Sequence, residues 1–287
     1  MIPWLLGLVG LGVSGWGILS TYRMLHPEAR PIPVPPSLPP VGIVSLTSHE
    51  GKPFDVWALD ARESRGVVVA CHGYHANRLQ LIELADGLRQ RGYTVIAFDL
   101  RGHGMRQGAC TFGVNEVRDI GVILAWLRQQ PRLASLPVGL YGLSLGGAIA
   151  CQAAARYPVF GALVLDSTYA RLFPILARAM TAQYHLPAIP WAWITWLGAQ
   201  VALRRCLSRL DPVVLARHSS APLLLIHGAQ DETVPLEHAH SLSAGWRGPK
   251  EQWIEPQAAH VGTSAINLNG YCDRVARFFD QWLTRHP

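Results

Sequence analysis

The sequence predicts an α/β fold, with a mostly parallel central sheet flanked by helices, on three observations. Short continuous apolar runs recur along the chain, as in strands that are covered on both faces. Longer helix-compatible stretches, each ended by Gly or Pro, separate these runs. The length of 287 residues allows one large domain with insertions. Because strand and helix alternate, we expect a parallel sheet.

The alternation begins at residue 66 and continues to the C-terminus. The predicted strands are 66–71, 94–98, 138–141, 162–165, 223–226 and 252–255. The predicted helices are 80–91, 117–130, 147–157 and 269–284. Residues 168–217 interrupt the order, because they are rich in Trp, Leu, Ala and Pro and carry no strand pattern. We expect this segment to form a helical cap over the sheet.

The first 23 residues are typical of a membrane anchor. Residues 2–22 contain no charge and provide about the ~20 residues that a helix needs to cross a bilayer. A cleavable signal peptide is the alternative, but no Lys or Arg precedes the apolar part and no A-x-A-like cleavage site follows it. Arg23 and Arg30 favour a cytoplasmic position for the rest of the chain under the positive-inside rule. The sequence thus predicts a single-pass N-terminal transmembrane helix.

Residues 24–40 predict an extended linker, since residues 27–40 hold seven prolines. The globular domain is expected at 41–287. Its composition, with 49% hydrophobic residues overall, excludes disorder. The net charge is +6, but the basic residues form no organised run, which argues against a nucleic-acid partner. Five cysteines without CxxC spacing indicate neither a disulfide framework nor a zinc site.

The pentapeptide Gly142-Leu-Ser144-Leu-Gly146 follows the strand pattern of 138–141 and precedes a helix pattern. This is the strand–turn–helix context in which G-x-S-x-G forms a nucleophile elbow. The glycines are needed because the serine occupies a strained turn in which a Cβ on its neighbours would clash. Ser144 is therefore the candidate nucleophile.

A serine nucleophile needs a base, and the base needs a carboxylate that orients it. Asp231 follows the strand at 223–226, and His260 lies between the last strand and the C-terminal helix. Their order after the serine is that of a Ser-Asp-His triad on an α/β sheet. Asp166 at the end of an earlier strand remains an alternative acid, and residues 238 and 240 are alternative histidines.

Acyl transfer also needs two backbone N–H groups directed at the developing oxyanion. The residue after the nucleophile, Leu145, supplies the first. The turn after strand 66–71 supplies the second, which we assign to Tyr74, with His72 ordering this loop through hydrogen bonds. The turn at 99–104 lacks the Lys and the G-x-G-x-x-G spacing of a phosphate loop, and we expect it to be structural. No metal or organic cofactor is expected.

Six separated segments resemble the α/β-hydrolase superfamily, specifically its lysophospholipase-like and serine-aminopeptidase-like (S33-type) branch. They are CHGYHANR, GYTVIAFDLRGHG, YGLSLGG, LVLDSTY, LLLIHGAQDETVP and AAHVG. The resemblance covers nearly all of 41–287 and implies a nucleophile, acid and base at Ser144, Asp231 and His260, oxyanion donors at Tyr74 and Leu145, and a cap at about 168–217. The chain departs from the HGGG motif of lipases and esterases, since Tyr74 and His75 stand where those glycines would be.

With the predicted N-terminal anchor, the resemblance implies a membrane-anchored serine hydrolase, and the anchor and the Trp-rich cap favour lipophilic carboxylic esters as substrates. A peptidase or amidase that acts on small peptides is the alternative, because the same triad serves amide hydrolysis. The absence of Asp and Glu from 168–209 favours esters, because a free α-amino group would need a carboxylate partner. A catalytically silent, membrane-bound binding protein is the alternative of another class. No obligate protein partner is evident.

Overall fold

The computed structural model describes residues 2–28 and 37–283, without the side chains of 2–11, 183 and 184. Within these ranges, eight strands form one sheet in the order β1-β2-β4-β3-β5-β6-β7-β8. Their bounds are β1 Gly42–Thr47, β2 Pro53–Leu59, β3 Gly66–Cys71, β4 Tyr93–Phe98, β5 Val138–Leu143, β6 Phe160–Asp166, β7 Leu223–Gly228 and β8 Lys250–Glu255. Strands β1, β2 and β4 pair antiparallel, whereas β4, β3 and β5 to β8 run parallel.

Helices cover both faces of the sheet. Within the described residues they are α1 Ile2–Leu25, α2 Ile82–Gln90, α3 Glu116–Leu127, α4 Leu145–Arg156, α5 Leu172–Tyr184, α6 Ala188–Leu203, α7 Pro212–Leu215, α8 Glu237–Gly245, α9 Thr263–Ile266 and α10 Leu268–Leu283. One apolar core joins α3 and α4 to the sheet, and a second joins α2 and α10 to its opposite face. Residues of β3 alternate between these two cores, which confirms that the central strands are covered on both sides.

The predicted strands and helices are all present, with four of the six strands one or two residues longer than the apolar pattern and with α2 and α3 shorter than predicted. The first two strands were not predicted from the sequence. Strand β2 alternates between exposed and buried residues at its start, and β1 is largely exposed at the edge of the sheet. Neither strand therefore contains the continuous apolar run that identified the central strands.

The cap predicted at 168–217 is helical, as expected. Helices α5, α6 and α7 lie between β6 and β7, with one 3₁₀ turn between α6 and α7 and another after α7. Phe173 of α5 packs against Trp193 and Trp196 of α6, with ring centroids 4.5 and 5.5 Å away. The tryptophans noted in the sequence thus hold the two cap helices together.

The N-terminal helix α1 differs from its prediction. Among the residues that the structure describes, no helix has the length and apolar character that crossing a bilayer requires, so a transmembrane segment at 1–23 is not supported. The C-terminal half of α1 packs on α6, where the Thr195 hydroxyl donates to Ser20 Oγ at 2.7 Å. Met24 and Leu25, assigned to the linker at 24–40, belong to α1 and are buried. Residues 29–36 of that linker lie outside the described residues.

Candidate active site

Ser144 lies in the sharp turn between β5 and α4. Its backbone adopts φ 53° and ψ −113°, a conformation that costs energy for any residue with a side chain. The turn brings neighbouring backbone so close that a Cβ on Gly142 would lie 2.5 Å from the Gly146 carbonyl oxygen, and a Cβ on Gly146 would lie 2.6 Å from the His72 carbonyl oxygen. Both glycines are therefore required by the backbone contacts of the elbow, as the sequence predicts.

The structure brings the three side chains that the sequence singled out into one hydrogen-bonded chain. His260 Nε2 lies 3.1 Å from Ser144 Oγ, and His260 Nδ1 lies 2.7 Å from Asp231 Oδ2. The other oxygen, Asp231 Oδ1, accepts the backbone N–H groups of Thr233 at 3.0 Å and Val234 at 2.7 Å. Nδ1–H therefore donates to Asp231, which leaves Nε2 free to accept the serine proton.

Each member of the chain stands at the carboxyl end of a strand. Ser144 follows β5, Asp231 follows β7 and His260 follows β8. Because the carboxyl ends of parallel strands meet at one edge, residues distant in sequence converge there. Asp231 is buried, while the His260 side chain is 22% exposed, so the imidazole is reachable from solvent and the carboxylate is shielded from it.

The alternative acid, Asp166, occupies a different position. Its carboxylate accepts the hydroxyls of Ser167 at 2.9 Å and Tyr271 at 2.7 Å, behind the triad. Burial raises the pKa of Asp166. Among the alternative bases, His238 accepts the Ala170 N–H at its Nδ1, and His240 is exposed. The geometry thus separates the alternatives that the sequence left open.

Sequence reasoning missed His227, which lies fully buried on β7 behind the acid. Its Nε2–H donates to the Val234 carbonyl at 2.7 Å and stands 3.5 Å from Asp231 Oδ2. The contact closes the turn that carries Asp231. The HG pair at the end of β7 was the only sequence signal, and it gave no reason to prefer this histidine over the other eleven.

The loop after β3 lies beside the nucleophile. A Cβ on Gly73 would stand 3.6 Å from Ser144 Cβ, which is ordinary van der Waals contact. The Gly73 N–H donates to Gln80 Oε1 at 2.8 Å, so the next N–H in the loop, that of Tyr74, is the candidate second oxyanion donor. Leu145 opens α4, where the first N–H groups have no intrahelical acceptor and carry a partial positive charge.

His72 orders this loop in a single tautomer. Its Nδ1–H donates to the Gly73 carbonyl at 2.7 Å, and its Nε2 accepts the Leu100 N–H at 2.9 Å. A second proton on Nε2 would point at the Leu100 N–H, so two donors would face each other inside the protein. Burial, reinforced by the neighbouring His103, lowers the pKa of His72 to about 3. His72 is therefore a neutral structural hydrogen-bonding residue near neutral pH.

The turn at 99–104 supports the same loop from the other side. Asp99 accepts the backbone N–H of Arg78 at 2.8 Å and that of Met105 at 2.9 Å. Together with the Leu100 N–H that binds His72, these contacts join the β3 and β4 loops. The contacts of the turn at 99–104 agree with the structural role expected from the sequence.

The end of α1 touches the same loop, and no motif in the sequence indicated it. The Tyr74 hydroxyl donates to the Met24 carbonyl at 2.8 Å. The Cys110 N–H donates to the Leu25 carbonyl at 2.7 Å, and His75 Nδ1 lies 2.8 Å from the Glu28 carbonyl. The last carbonyls of a helix lack intrahelical donors, and here the loops of the globular domain provide them.

Two cavities, of about 290 and 170 Å³, lie away from Ser144. The larger is bounded by Phe54, Arg78, Asp99 and Arg106, and the smaller by α3 and the start of β5. Neither cavity is lined by Ser144, Asp231 or His260. Among the described residues, no group of three or more His, Cys, Asp or Glu side chains is arranged to hold a metal ion.

Comparison with known proteins agrees with this architecture. An uncharacterised protein of Mycobacterium tuberculosis is 27% identical over 282 residues, which covers 96% of this chain and 93% of that protein. A monoacylglycerol lipase of Mycolicibacterium smegmatis is 29% identical over 222 residues, which covers 64% of this chain and 76% of the lipase. The solved structure of a Pyrococcus furiosus esterase superposes with a TM-score of 0.73 at 24% identity, covering 89% of this chain and 98% of the esterase.

The esterase comparison shows the fold. The family described as serine aminopeptidase, S33, matches residues 62–215, which is more than half of the chain. That match includes the loop after β3, the elbow at Ser144 and most of the cap. The chain belongs to the S33 serine aminopeptidase family of α/β-hydrolase serine hydrolases.

Proposed function

We propose that the protein hydrolyses carboxylic esters through an acyl-enzyme formed on Ser144. The observation that carries this proposal is the continuous chain from Ser144 Oγ through both ring nitrogens of His260 to Asp231 Oδ2, with links of 3.1 and 2.7 Å. A hydroxyl is a weak nucleophile, and this arrangement provides the base and the oriented carboxylate that activate it. The position of the serine in a strained elbow supports the same role.

In the first half of the reaction, Ser144 Oγ attacks the acyl carbonyl carbon while His260 Nε2 takes the hydroxyl proton. Asp231 stabilises the imidazolium, and the N–H groups of Tyr74 and Leu145 bind the carbonyl oxygen as it gains negative charge. His260 returns the proton to the leaving alcohol. In the second half, His260 removes a proton from water, the resulting hydroxide attacks the acyl-enzyme, and Ser144 regains its proton.

The substrates we propose are lipophilic esters. The stretch 168–209 has no acidic residue, and α6 presents Trp193, Leu197 and Val201 to solvent with 45%, 54% and 76% of their surfaces exposed. An apolar cap favours an acyl chain over a charged peptide terminus. The relationship to a monoacylglycerol lipase supports the same substrate class.

Hydrolysis of short peptides is the second candidate, because the family is described as serine aminopeptidase. An aminopeptidase must bind a free α-amino group, which a carboxylate near the nucleophile would do. Glu232, adjacent to Asp231, is exposed, and Arg178 of α5 donates to its backbone carbonyl at 2.8 Å. Glu232 is therefore the acidic side chain to test for that role.

The test compares two substrate series with the purified full chain. We expect p-nitrophenyl esters to be hydrolysed with kcat/KM rising from the acetate to the octanoate, and aminoacyl p-nitroanilides to be hydrolysed far more slowly. Ser144→Ala should abolish both activities. Faster hydrolysis of the anilides, reduced by Glu232→Gln, would replace the ester proposal with the peptidase one. A folded protein inactive on both series would contradict the hydrolase mechanism.

A further inference from the structure

The end of β6 contacts both halves of the site. The Asp166 carbonyl accepts the Ser144 N–H at 2.8 Å, which ties β6 to the nucleophile elbow. The next residue, Ser167, is fully buried, and its Oγ accepts the N–H of Val261 at 3.1 Å. Val261 directly follows His260 in the chain. Two consecutive residues of β6 and its following turn thus hold the nucleophile on one side and the base on the other.

Val261 has an unusual backbone conformation that needs such support. Its φ is +54°, in the left-handed region, where a β-branched residue is a true outlier. The turn is closed by a hydrogen bond from the Gly262 N–H to the Ala259 carbonyl at 3.0 Å, with His260 and Val261 between them. Strained residues persist only where their surroundings hold them, and here the strain sits beside the base.

The Ser167 hydroxyl is itself oriented by a buried network. It donates to Asp166 Oδ1 at 2.9 Å, so its lone pairs face the Val261 N–H. The Tyr271 hydroxyl donates to Asp166 Oδ2 at 2.7 Å, and the Tyr141 hydroxyl lies 2.9 Å from that of Tyr271. Both hydroxyls donate to the Asp166 carboxyl group, and the Val261 N–H can only donate. The direction of the Ser167–Val261 hydrogen bond follows from this arrangement.

From these contacts we infer that Ser167, oriented by Asp166, is a positioning residue that holds Val261 in its left-handed conformation and so keeps His260 Nε2 within hydrogen-bonding reach of Ser144. The inference rests on the proposed function, since it assigns a task in the same reaction. Ser167 touches neither substrate nor the reacting atoms and acts through the backbone of the histidine loop. Asp166, the alternative acid of the sequence, orients Ser167, whereas the imidazole of His260 is hydrogen-bonded to Asp231.

The decisive variant is Ser167→Ala, which removes the acceptor of the Val261 N–H and leaves the side chains of the triad unchanged. Relaxation of Val261 would displace the imidazole, and displacements of about 1 Å can cost on the order of 100-fold in rate. We expect kcat for p-nitrophenyl butyrate to fall by about tenfold to 100-fold, with KM nearly unchanged.

A second substitution separates positioning from general destabilisation. Glycine adopts positive φ without strain, so Val261→Gly alone should keep near-normal kcat. In the double variant, Val261→Gly should restore most of the activity that Ser167→Ala loses. Ser219→Ala is the matched control, because Ser219 is also buried but lies before β7, at the opposite end of that strand from Asp231. It should leave kcat unchanged. Thermal melting of all four variants accompanies the kinetics.

The outcomes distinguish the inference from the proposed function. A wild-type protein inactive on esters would overturn both. An active wild type whose kcat survives Ser167→Ala would overturn the inference alone. Loss of kcat that Val261→Gly fails to restore, in step with a lower melting temperature, would assign Ser167 to stability and overturn its positioning role.

Discussion

Replacing Asp231 with Asn tests the orientation of the imidazole directly. The Thr233 and Val234 N–H groups both donate to Oδ1, so the amide oxygen of an asparagine must take that position. The amide NH₂ then replaces Oδ2, which lies 2.7 Å from His260 Nδ1. It donates to Nδ1 and forces the proton onto Nε2. In that tautomer, the imidazole cannot accept the Ser144 proton.

A Ser-His-Asp triad with its imidazole in the wrong tautomer loses about 10⁴ in kcat, or about 5 kcal/mol of transition-state stabilisation. We expect a loss of this size in Asp231→Asn, measured as p-nitrophenyl butyrate hydrolysis at pH 8. The melting temperature should change little, because both backbone donors keep an acceptor. In Asp231→Ala, both donors lose it, at about 1–3 kcal/mol of stability for the buried Val234 N–H. An Asn variant within tenfold of wild-type kcat would refute the assigned tautomer.

Two further predictions concern the loop beside the nucleophile. Tyr74→Phe removes the hydroxyl that binds the Met24 carbonyl, and the loss of a hydrogen bond of about 1 kcal/mol predicts an approximately fivefold fall in kcat. The control is Tyr22→Phe, on the exposed side of α1, which should leave kcat unchanged. Equal kinetics for both variants would remove α1 from any role at the loop. Burial lowers the pKa of His103 from 6.5 to about 4. As pH falls, the imidazole is therefore protonated in the unfolded chain before it is protonated in the folded one, and stability is lost between pH 6.5 and pH 4. Urea unfolding at pH 7 and pH 5 should show that His103→Gln loses about 2 kcal/mol less free energy of unfolding than the wild type. An equal loss in the wild type and the variant would show that His103 is protonated or solvated in the fold.

The central sheet could be predicted because its strands are buried on both faces. Such strands are continuously apolar, and this pattern is visible without any knowledge of the partners. Strands β1, at the edge of the sheet, and β2, next to it, were missed because partly exposed strands mix polar and apolar residues. Strand β1 pairs with β2, and β2 pairs with β4, a contact between distant parts of the chain.

The three side chains that meet at this edge of the sheet could be singled out because each follows a recognisable strand and their order along the chain is typical of the fold. The sequence favoured Asp231 over Asp166, which ends β6, but only from its order along the chain. The distinction comes from Tyr271 and Ser167, which occupy the carboxylate of Asp166 and leave Asp231 to bind His260. Hydrogen bonds across such distances have no local sequence signature.

The N-terminal helix was interpreted from hydropathy alone, which describes a segment but not what it packs against. Small and hydroxyl-bearing residues on its C-terminal half meet α6, and its last carbonyls meet the loop of Tyr74. A composition typical of a bilayer span also suits a helix that packs on an apolar cap. Membrane attachment and the side of the membrane stay predictions from the sequence.

The central claim is that Ser144 is a nucleophile activated by His260, and labelling by a fluorophosphonate tests it most directly. The purified full chain should be modified at Ser144 alone, with the adduct located by peptide mass spectrometry. Ser144→Ala should not react, and His260→Ala should react at least about 100-fold more slowly, because it lacks the general base. Rapid labelling of the His260→Ala variant, or no labelling of a folded wild-type protein, would contradict the account.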